Sequence, residues 1–337
     1  MAITNCLTYL VPIALAVLIM VHYPEPELPA DILAMRRTGS YFSFKSTANG
    51  DHLRIFFRDL KGSGPATRNL FLLHGFPVSS SDWNEVIPGL QEEFGRLIVP
   101  EQLGYGLSDK PWPHNYTIFE QADIMEALLK SSGVGNAHFL CHDTGLTVCL
   151  EMLARFNARN ADKDTRDSGV VIQSFAFNNG GMFSALTTPT LMQRLVLLPV
   201  LGAAVTAVAP RFVTEKSLME AFGPRTKPSR QSLNSAIALM YRQRGAIVLS
   251  SVIAYIHERA VHEDRWIGAM ISTSIPVHYI YNPADPVNKE ETFQHFKKTV
   301  PHATTSRMPE HIGHWGMLED PETFLARYWQ FFSTVSK

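Results

Sequence analysis

A carboxylate stands where an apolar run breaks and gives way to a segment with helical spacing. Residues 136–153 read NAHFLCHDTGLTVCLEML, and the break falls between Cys141 and Gly145. A strand ending near Cys141, a tight turn and a helix beginning near Gly145 would place Asp143 at the tip of a sharp corner. Such a corner accepts only small residues two positions before and two positions after its tip. Cys141 and Gly145 occupy these positions, and both are small. The pattern indicates a nucleophile elbow with Asp143 as the nucleophile.

A carboxylate at this position has a different chemistry from the serine that more often occupies it. It attacks an sp³ carbon, opening an epoxide or displacing a leaving group, and forms an ester that a histidine-activated water then hydrolyses. Because no serine occupies the tip, a serine-type esterase is disfavoured. An aspartate that merely caps the following helix would also fit here, so Asp143 alone does not decide between the two interpretations.

Two backbone N–H groups are predicted to bind a developing oxyanion. His-Gly-Phe-Pro, residues 74–77, follows the apolar run NLFLL. In a strand-turn-helix architecture of this type, the N–H of Phe76 would pair with that of Thr144 to form an oxyanion hole. Taken by itself, the tetrapeptide also suits an ordinary turn at a strand end.

An acid and a base follow in the second half of the chain. Asp285 comes just after the apolar run IPVHYIY, and His314 lies in HIGHWGMLEDP before the last helix. Asp285 would also suit a turn, and His311 is the nearest competitor for the base. His314 is preferred because Gly313 and the following LEDP leave a loop from which its imidazole can reach the carboxyl edge of a sheet. The order Asp143, Asp285, His314 is nucleophile, acid, base, which differs from other triad folds.

Composition excludes several classes of function. The 337 residues are 45% hydrophobic and 18% charged, as in a folded globular protein. There are 30 Lys and Arg residues and 31 Asp and Glu residues, which gives a net charge of -1. This balance does not indicate a surface that binds nucleic acid. The three cysteines, Cys6, Cys141 and Cys149, imply neither a disulfide framework nor a zinc site. Without a P-loop, a glycine-rich dinucleotide motif or a ligand cluster, the sequence predicts no cofactor and no metal.

Apolar strands that alternate with amphipathic helices predict the scaffold. YFSFKS and HLRIFFRDL, joined at Asn49-Gly50, indicate an antiparallel hairpin. Apolar runs at 69–75, 95–101, 137–142, 170–179 and 275–281 indicate further strands, several of them separated by helical segments. The predicted fold class is therefore α/β, with a mostly parallel central sheet and helices on both faces.

The predicted domain organisation has an anchor, a divided core and a lid. Residues 1–25 are expected to form a membrane anchor, because Cys6 to Tyr23 contain no charged residue and are long enough to span a bilayer. A cleaved signal peptide is disfavoured, since basic residues and a cleavage site are missing. The core is expected at 26–181 and 273–337, and an inserted helical lid at 182–272. Within this lid, the apolar stretch 194–213 is expected to be buried or interfacial.

Several blocks of sequence together resemble the α/β-hydrolase superfamily, in the aspartate-nucleophile branch that includes epoxide hydrolases and haloalkane dehalogenases. The blocks include LLHGFPVSSSDW, CHDTG, IPVHYIYNPADPVN and HIGHWGMLEDP. The resemblance implies the α/β-hydrolase fold, the triad Asp143, Asp285 and His314, and a membrane-associated protein, in the endoplasmic reticulum.

Some positions depart from that branch. Haloalkane dehalogenases usually hold the halide with a tryptophan after the nucleophile and a polar residue after His-Gly, where this chain has Thr144 and Phe76. Epoxide hydrolases protonate the epoxide oxygen with two lid tyrosines. Tyr241 and Tyr255 are the substrate-binding candidates here, but Ile267 stands about where the second tyrosine is expected. Loss of one such donor can cost about 10²–10³ in rate.

The leading functional prediction is a membrane-anchored hydrolase with an aspartate nucleophile, acting on a small apolar or lipid-like epoxide, ether or ester. The alternative is a non-catalytic protein that keeps the fold and binds a lipid or a protein partner in the lid pocket.

Overall fold

A single mixed sheet organises the part of the chain that the computed structural model describes, residues 25–162, 169–187, 189–198 and 201–336. Its strands follow the order β1-β2-β4-β3-β5-β6-β7-β8. They are β1 Gly39–Lys45, β2 His52–Lys61, β3 Asn69–Leu73, β4 Arg96–Pro100, β5 Asn136–His142, β6 Val171–Asn178, β7 Val277–Tyr281 and β8 Thr304–Arg307. The predicted antiparallel hairpin is confirmed as β1 and β2, in which Lys45 pairs with His52.

The rest of the sheet is mostly parallel. Strand β2 pairs antiparallel with β4, and every pair from β4 through β3, β5, β6 and β7 to β8 is parallel. Parallel strands need crossover connections, which the helices between them supply. The predicted α/β fold with a mostly parallel sheet is therefore confirmed, and the carboxyl ends of β3, β5, β6 and β7 lie at one edge.

Helices cover both faces of this sheet. They are α1 Ala30–Arg37, α2 Ile87–Glu93, α3 Ile118–Ser131, α4 Thr144–Ala161, α5 Leu191–Val196, α6 Leu201–Val208, α7 Arg211–Ala221, α8 Arg230–Tyr241, α9 Gly245–Val252, α10 Tyr255–Ser272, α11 Glu290–Thr299, α12 Gly316–Glu319 and α13 Pro321–Val335. Between β3 and β4 the chain forms a 3-10 turn, Ser80–Trp83, and then α2. Pro88 lies in the first turn of α2, where its missing N–H costs nothing.

The strands bury side chains on both faces, as expected for a covered parallel sheet. Leu70 and Leu72 of β3 pack with the apolar residues of α2 and α13. Phe71 and Leu73 alternate with them and pack on the opposite face with α3 and α4. Each such side chain contributes about 1.5–3 kcal/mol on full burial, so the two clusters hold the strand ends in fixed positions.

Helices α5 to α10 lie between β6 and β7 in the chain, within the range predicted as the lid. The second half of α10 is fixed to the core, because Arg265 and Trp266 both donate to the buried carboxylate of Glu151 in α4. The first half of α10 reaches the end of β5. This helix therefore links the inserted segment to the elbow.

A disulfide joins Cys141 in β5 to Cys149 in α4, with the two sulfurs 2.09 Å apart. The count of three cysteines had not indicated it. The elbow makes it possible, because the turn between β5 and α4 folds the second turn of the helix back beside the strand end, with Cα atoms 6.8 Å apart.

None of the helices in the described ranges is both long and apolar enough to cross a membrane. The predicted anchor falls on residues 1–24, which lie outside those ranges, and on Glu25.

Candidate active site

Asp143 occupies the corner between β5 and α4, as the sequence predicts. Its backbone has φ 47° and ψ −110°, an unfavourable conformation for a non-glycine residue, which costs on the order of 1–3 kcal/mol. The backbone N–H of Asp143 donates to the carbonyl of Asn179 at 2.9 Å. Close packing explains why residue 145 is a glycine, since a Cβ on Gly145 would lie 2.5 Å from the carbonyl oxygen of Leu73. The carboxylate of Asp143 does not cap α4, which removes the simple helix-cap interpretation.

The three residues predicted as a triad lie together. Nδ1 of His314 is 2.8 Å from Oδ2 of Asp285, and Nε2 of His314 is 3.9 Å from Oδ2 of Asp143. All three side chains are buried. They come from the ends of β5 and β7 and from the loop before α12, so the carboxyl edge of the sheet brings them together. His311, the competing base, is not part of this arrangement.

Asp285 is held by donors besides the imidazole. Its Oδ2 accepts from the side-chain amides of Asn179 at 2.6 Å and Asn288 at 2.9 Å, and its Oδ1 accepts from the N–H of Val287 at 2.8 Å. The sequence reasoning missed Asn179. The available signal was the polar pair Asn178-Asn179 at the end of an apolar strand, where this edge collects functional side chains.

Burial and neighbouring charges set the ionisation of the three groups. Burial alone would raise the pKa of Asp143, but the hydrogen bond and charge of His314, with Arg259, hold that pKa well below its usual range. Burial would also raise the pKa of Asp285, but the charge and hydrogen bond of His314 and the amide donors lower that pKa instead. Burial would lower the pKa of His314, but Asp285 and Asp143 raise it to about 10. The unreacted site thus holds an imidazolium between two carboxylates.

Phe76 contacts the nucleophile through its backbone N–H, as predicted, whereas the contact of Thr144 comes from its hydroxyl and not from the predicted N–H. The backbone N–H of Phe76 donates to Oδ2 of Asp143 at 3.0 Å. Thr144 approaches the same oxygen with its hydroxyl, at 3.4 Å. Oδ2 therefore accepts from the N–H and hydroxyl donors, and Nη2 of Arg259 lies 3.5 Å from Oδ1.

A cavity of about 200 Å³ opens over Asp143. Its wall is mostly apolar, and side chains from α5 to α10 face the residues at the sheet edge. Among its lining residues are Phe76, Pro77, Asp143, Met192, Val196, Leu218, Tyr241, Leu249, Ile253, Tyr255, Arg259, Val287, His314 and Trp315. The site thus combines a buried ionised carboxylate with a pocket suited to apolar groups.

Both tyrosine candidates line this cavity, in different settings. The hydroxyl of Tyr241 lies 2.6 Å from the hydroxyl of Thr214. Tyr255 lies deeper, with its ring centroid 6.1 Å from that of Phe76. Burial and the charge of Asp143 raise the pKa of Tyr255, so its phenol is protonated at neutral pH. Ile267 lies elsewhere, in the core of the sheet's α4 face, and does not line the cavity.

Arg259 is a second residue that the sequence reasoning missed. It is buried, its Nη2 donates to the backbone carbonyl of Asp143 at 3.0 Å, and its guanidinium carbon lies 4.5 Å from the ring centroid of Tyr255. The spacing of Tyr255 and Arg259 places both on one face of a helix, which was the available signal.

In the described part of the chain, no three His, Cys, Asp or Glu side chains are grouped so that they could hold a metal ion.

Comparisons with known proteins agree with the fold. A model of the α/β hydrolase fold family matches residues 68–321. The chain is 39% identical over 321 residues to the mesoderm-specific transcript homolog protein of Bos taurus, covering 93% of this chain and 91% of that protein. Among solved structures, haloalkane dehalogenase DbeA from Bradyrhizobium elkani USDA94 has a TM-score of 0.70 at 18% identity, covering 88% of this chain and 99% of that one. Epoxide hydrolase CorEH has a TM-score of 0.65 at 19% identity, with the same coverage of 88% and 99%.

The two structural likenesses show the fold alone, whereas the family match spans most of the chain and the sequence relative matches nearly all of it. The resemblance to the α/β-hydrolase superfamily noted in the sequence is thereby confirmed. The chain belongs to the α/β hydrolase fold family as a relative of the mesoderm-specific transcript proteins, and this membership supports a hydrolase with a small-molecule substrate.

Proposed function

We propose that this protein is a hydrolase in which Asp143 is the nucleophile, His314 the base and Asp285 the residue that orients the base. The observation that carries the proposal is the contact series from Asp285 through His314 to Asp143, with distances of 2.8 Å and 3.9 Å, at the buried end of an apolar cavity. A buried carboxylate in a helix-capping or purely structural role has no need of this alignment.

In the first half-reaction, the carboxylate of Asp143 attacks an sp³ carbon of the substrate. Oδ2 is held by the N–H of Phe76, so Oδ1 forms the new C–O bond and Oδ2 becomes the carbonyl oxygen of the ester. The bond from the substrate carbon to its leaving oxygen breaks, and the electron pair goes to that oxygen.

In the second half-reaction, a water molecule loses a proton to His314 and adds to Cγ of Asp143. The negative charge that develops on Oδ2 is stabilised by the N–H of Phe76 and by Thr144, which form the proposed oxyanion hole. Collapse releases the alcohol and restores the carboxylate. Ester formation removes the negative charge of Asp143, which lowers the pKa of His314. The imidazolium then releases its proton, which balances the proton taken up by the departed oxygen, and becomes the neutral base needed for this step.

The cavity lining indicates the substrate class. Its wall is largely aliphatic and aromatic, which favours a small apolar or lipid-like molecule, and an epoxide, ether or ester would supply the leaving oxygen. We assign Tyr255 and Tyr241 to substrate binding, because their hydroxyls belong to the polar groups on the lid side of the cavity.

We also propose that residues 1–25 anchor the protein in the membrane of the endoplasmic reticulum, with 182–272 as the lid. The uncharged run from Cys6 to Tyr23 supports the anchor. Carbonate extraction of membranes that carry the full chain tests it, because an anchored protein stays in the pellet. The sequon Asn115-Tyr116-Thr117, in which Asn115 is exposed, reports the orientation, since a glycosidase-sensitive mass shift requires a body in the lumen.

The test of the catalytic proposal is intact-protein mass spectrometry of His314→Gln after incubation with lipid epoxides, esters and haloalkanes. Without the base, the ester on Asp143 should form and persist, and peptide mapping should place it there. His302→Gln changes an exposed histidine outside the site and serves as the control. A folded His314→Gln protein with no adduct across the panel, together with tight ligand retention, would favour the non-catalytic binding protein.

A further inference from the structure

Helices α5 and α6 of the inserted segment expose a set of leucines to solvent. Leu191 is 76% exposed, Leu195 37%, Leu198 43% and Leu201 59%. Leu191 and Leu195 are four residues apart and so lie on one side of α5, and Leu198 follows in the next turn. These four residues are called the leucine face below. A single exposed leucine is normal on a protein surface, but a cluster of them marks an interaction surface.

Another side of α5 lines the cavity that holds the proposed nucleophile. Met192 and Val196 of α5 belong to the cavity wall, as does Thr190, whose hydroxyl caps this helix. Met192 and Val196 are four residues apart, so they also share one side of the helix. Helix α5 therefore presents one side to the cavity and another, with the leucine face, to the surroundings of the protein.

The sequence around the leucine face carries no acidic residue. Residues 168–214 contain no Asp and no Glu, and residues 195–210 contain no charged residue of either sign. Arg194 and Arg211, both exposed, stand at the two ends of this uncharged stretch. An arginine at the edge of an apolar surface lays its stem along the apolar groups and keeps its charge at the level of water or lipid phosphates. This arrangement suits a phospholipid surface.

The proposed anchor joins the body close to the same helices. Glu25, the first residue that the structure describes, pairs with Arg242 at 3.4 Å, in the turn that precedes α9. Helix α9 packs against α6, since a Cβ on Gly202 would lie 3.3 Å from Cβ of Ser250. Because α9 is only about 12 Å long, residues 1–24 begin near the helices that carry the leucine face.

We propose that the leucine face lies in the interfacial layer of the bilayer that holds the anchor, and that the cavity receives its substrate from this layer. The proposal rests on the proposed function and narrows its substrate class to lipids that partition into a membrane. Helices α5 and α6 are too short to cross a bilayer and lie in its plane. Removal of the leucine side chains from water drives the contact.

The experiment uses the full-length chain with Cys6→Ser, in which one introduced cysteine can be labelled because Cys141 and Cys149 form a disulfide. Leu191→Cys carries a nitrobenzoxadiazole label on the leucine face. Val171→Cys is the matched control, since Val171 is an exposed apolar residue at the start of β6, on the sheet edge opposite the site. Both proteins are reconstituted into vesicles of phosphatidylcholine and phosphatidylserine, floated, and titrated with lipids that carry a nitroxide on the acyl chain.

The nitroxide lipid should quench the label at residue 191 more strongly than the label at residue 171, by about threefold or more. Equal quenching at the two positions would overturn the proposal. A label at residue 191 that is shielded from water but not quenched would also overturn it, because residues 6–23 or a second copy of the chain would then cover the leucine face. Protein that does not float with the vesicles would overturn the proposed anchor together with the docking of the leucine face.

A second measurement tests the supply of substrate, with His314→Gln as the parent and adduct formation on Asp143 as the readout. Leu191→Ser combined with Leu201→Ser should slow the reaction with a long-chain epoxide presented in vesicles by about tenfold. It should leave the reaction with water-soluble 1,2-epoxybutane unchanged, and Val171→Ser should change neither rate. Equal slowing with both epoxides, or with neither, would overturn the supply from the bilayer. Absence of any adduct in the parent would overturn the proposed catalysis, whereas the quenching result does not depend on catalysis.

Discussion

Nδ1 of His314 lies 2.8 Å from Oδ2 of Asp285, which places the imidazole between that carboxylate and Asp143. The protonation state of the His314 imidazole therefore depends on two carboxylates, those of Asp285 and Asp143. One of them, Asp285, keeps its charge throughout the proposed reaction, and the other, Asp143, loses its charge when the ester forms. In the proposed reaction, His314 is therefore protonated before the ester forms and becomes a neutral base once the ester has formed.

Asp143→Asn should mimic the electrostatics of the ester. It removes one negative charge beside His314, so the pKa of that imidazole should fall from about 10 by about 1–3 units. Titration of ¹³C-labelled histidine by NMR measures it. Asp59→Asn alters a surface carboxylate paired with Arg96 and should leave the His314 titration in place. An unchanged pKa in Asp143→Asn would show that Asp143 does not act on the base.

The raised pKa of His314 also predicts how stability depends on pH. A group whose folded pKa lies above its unfolded value near 6.5 stabilises the fold fully below that value and loses this contribution as pH rises toward about 10. The free energy of unfolding should therefore fall between pH 6.5 and 10 by on the order of a few kcal/mol. Urea titrations of the parent and of His314→Gln measure it. A decline of equal size in His314→Gln would assign the effect to other groups.

The elbow should tolerate no side chain at Gly145. A Cβ there would approach the backbone carbonyls of Leu73 and His74 to 2.5 Å, and neither carbonyl can move without disturbing β3. Gly145→Ala should destabilise the protein by about 3 kcal/mol. Gly268→Ala in α10 meets no atom within 4 Å and should stabilise it by about 0.5–1 kcal/mol. Thermal unfolding of the pair provides the comparison, and similar behaviour of the two would refute the steric argument.

Asn179 should prove necessary for the alignment of the acid. Its amide donates to Asp285 at 2.6 Å, and its carbonyl oxygen accepts from the N–H of Asn282 and the hydroxyl of Tyr279. Asn179→Ala removes one donor from Asp285 and leaves the N–H of Asn282 and the hydroxyl of Tyr279 without this acceptor, so it should cost about 3 kcal/mol. Asn157→Ala removes a hydrogen bond to the carbonyl of Ala269 at 2.8 Å and a longer one to the hydroxyl of Ser272 at 3.5 Å, and should cost less than about 1.5 kcal/mol. Chemical denaturation measures both.

The sequence predicted the parts of this site that depend on chain order and local chemistry. Each member of the predicted triad follows an apolar strand or precedes a helix, as Asp143, Asp285 and His314 do. The packing of the sheet brings these chain positions together at its carboxyl edge. The positions of Arg259 and Asn179 in the site were not predicted, because they depend on which side chains meet across the cavity and between strands. A helical spacing or a polar pair at a strand end indicates where such residues lie but not what they contact.

The two tyrosines that line the cavity should differ when each loses its hydroxyl. Tyr255 lies against Phe76 and Arg259 beside the nucleophile, whereas the hydroxyl of Tyr241 is engaged with Thr214 at 2.6 Å. A protonated phenol in the cavity beside Asp143 can give a proton to the departing oxygen of an epoxide, so Tyr255→Phe should slow ester formation with 1,2-epoxyoctane by about 10²-fold. Tyr241→Phe should affect the apparent affinity by less than about tenfold and leave the maximal rate nearly unchanged. Single-turnover kinetics over a range of epoxide concentrations separate the two effects. A larger loss of maximal rate in Tyr241→Phe would reverse the assignment and place the acid on α8 instead of α10.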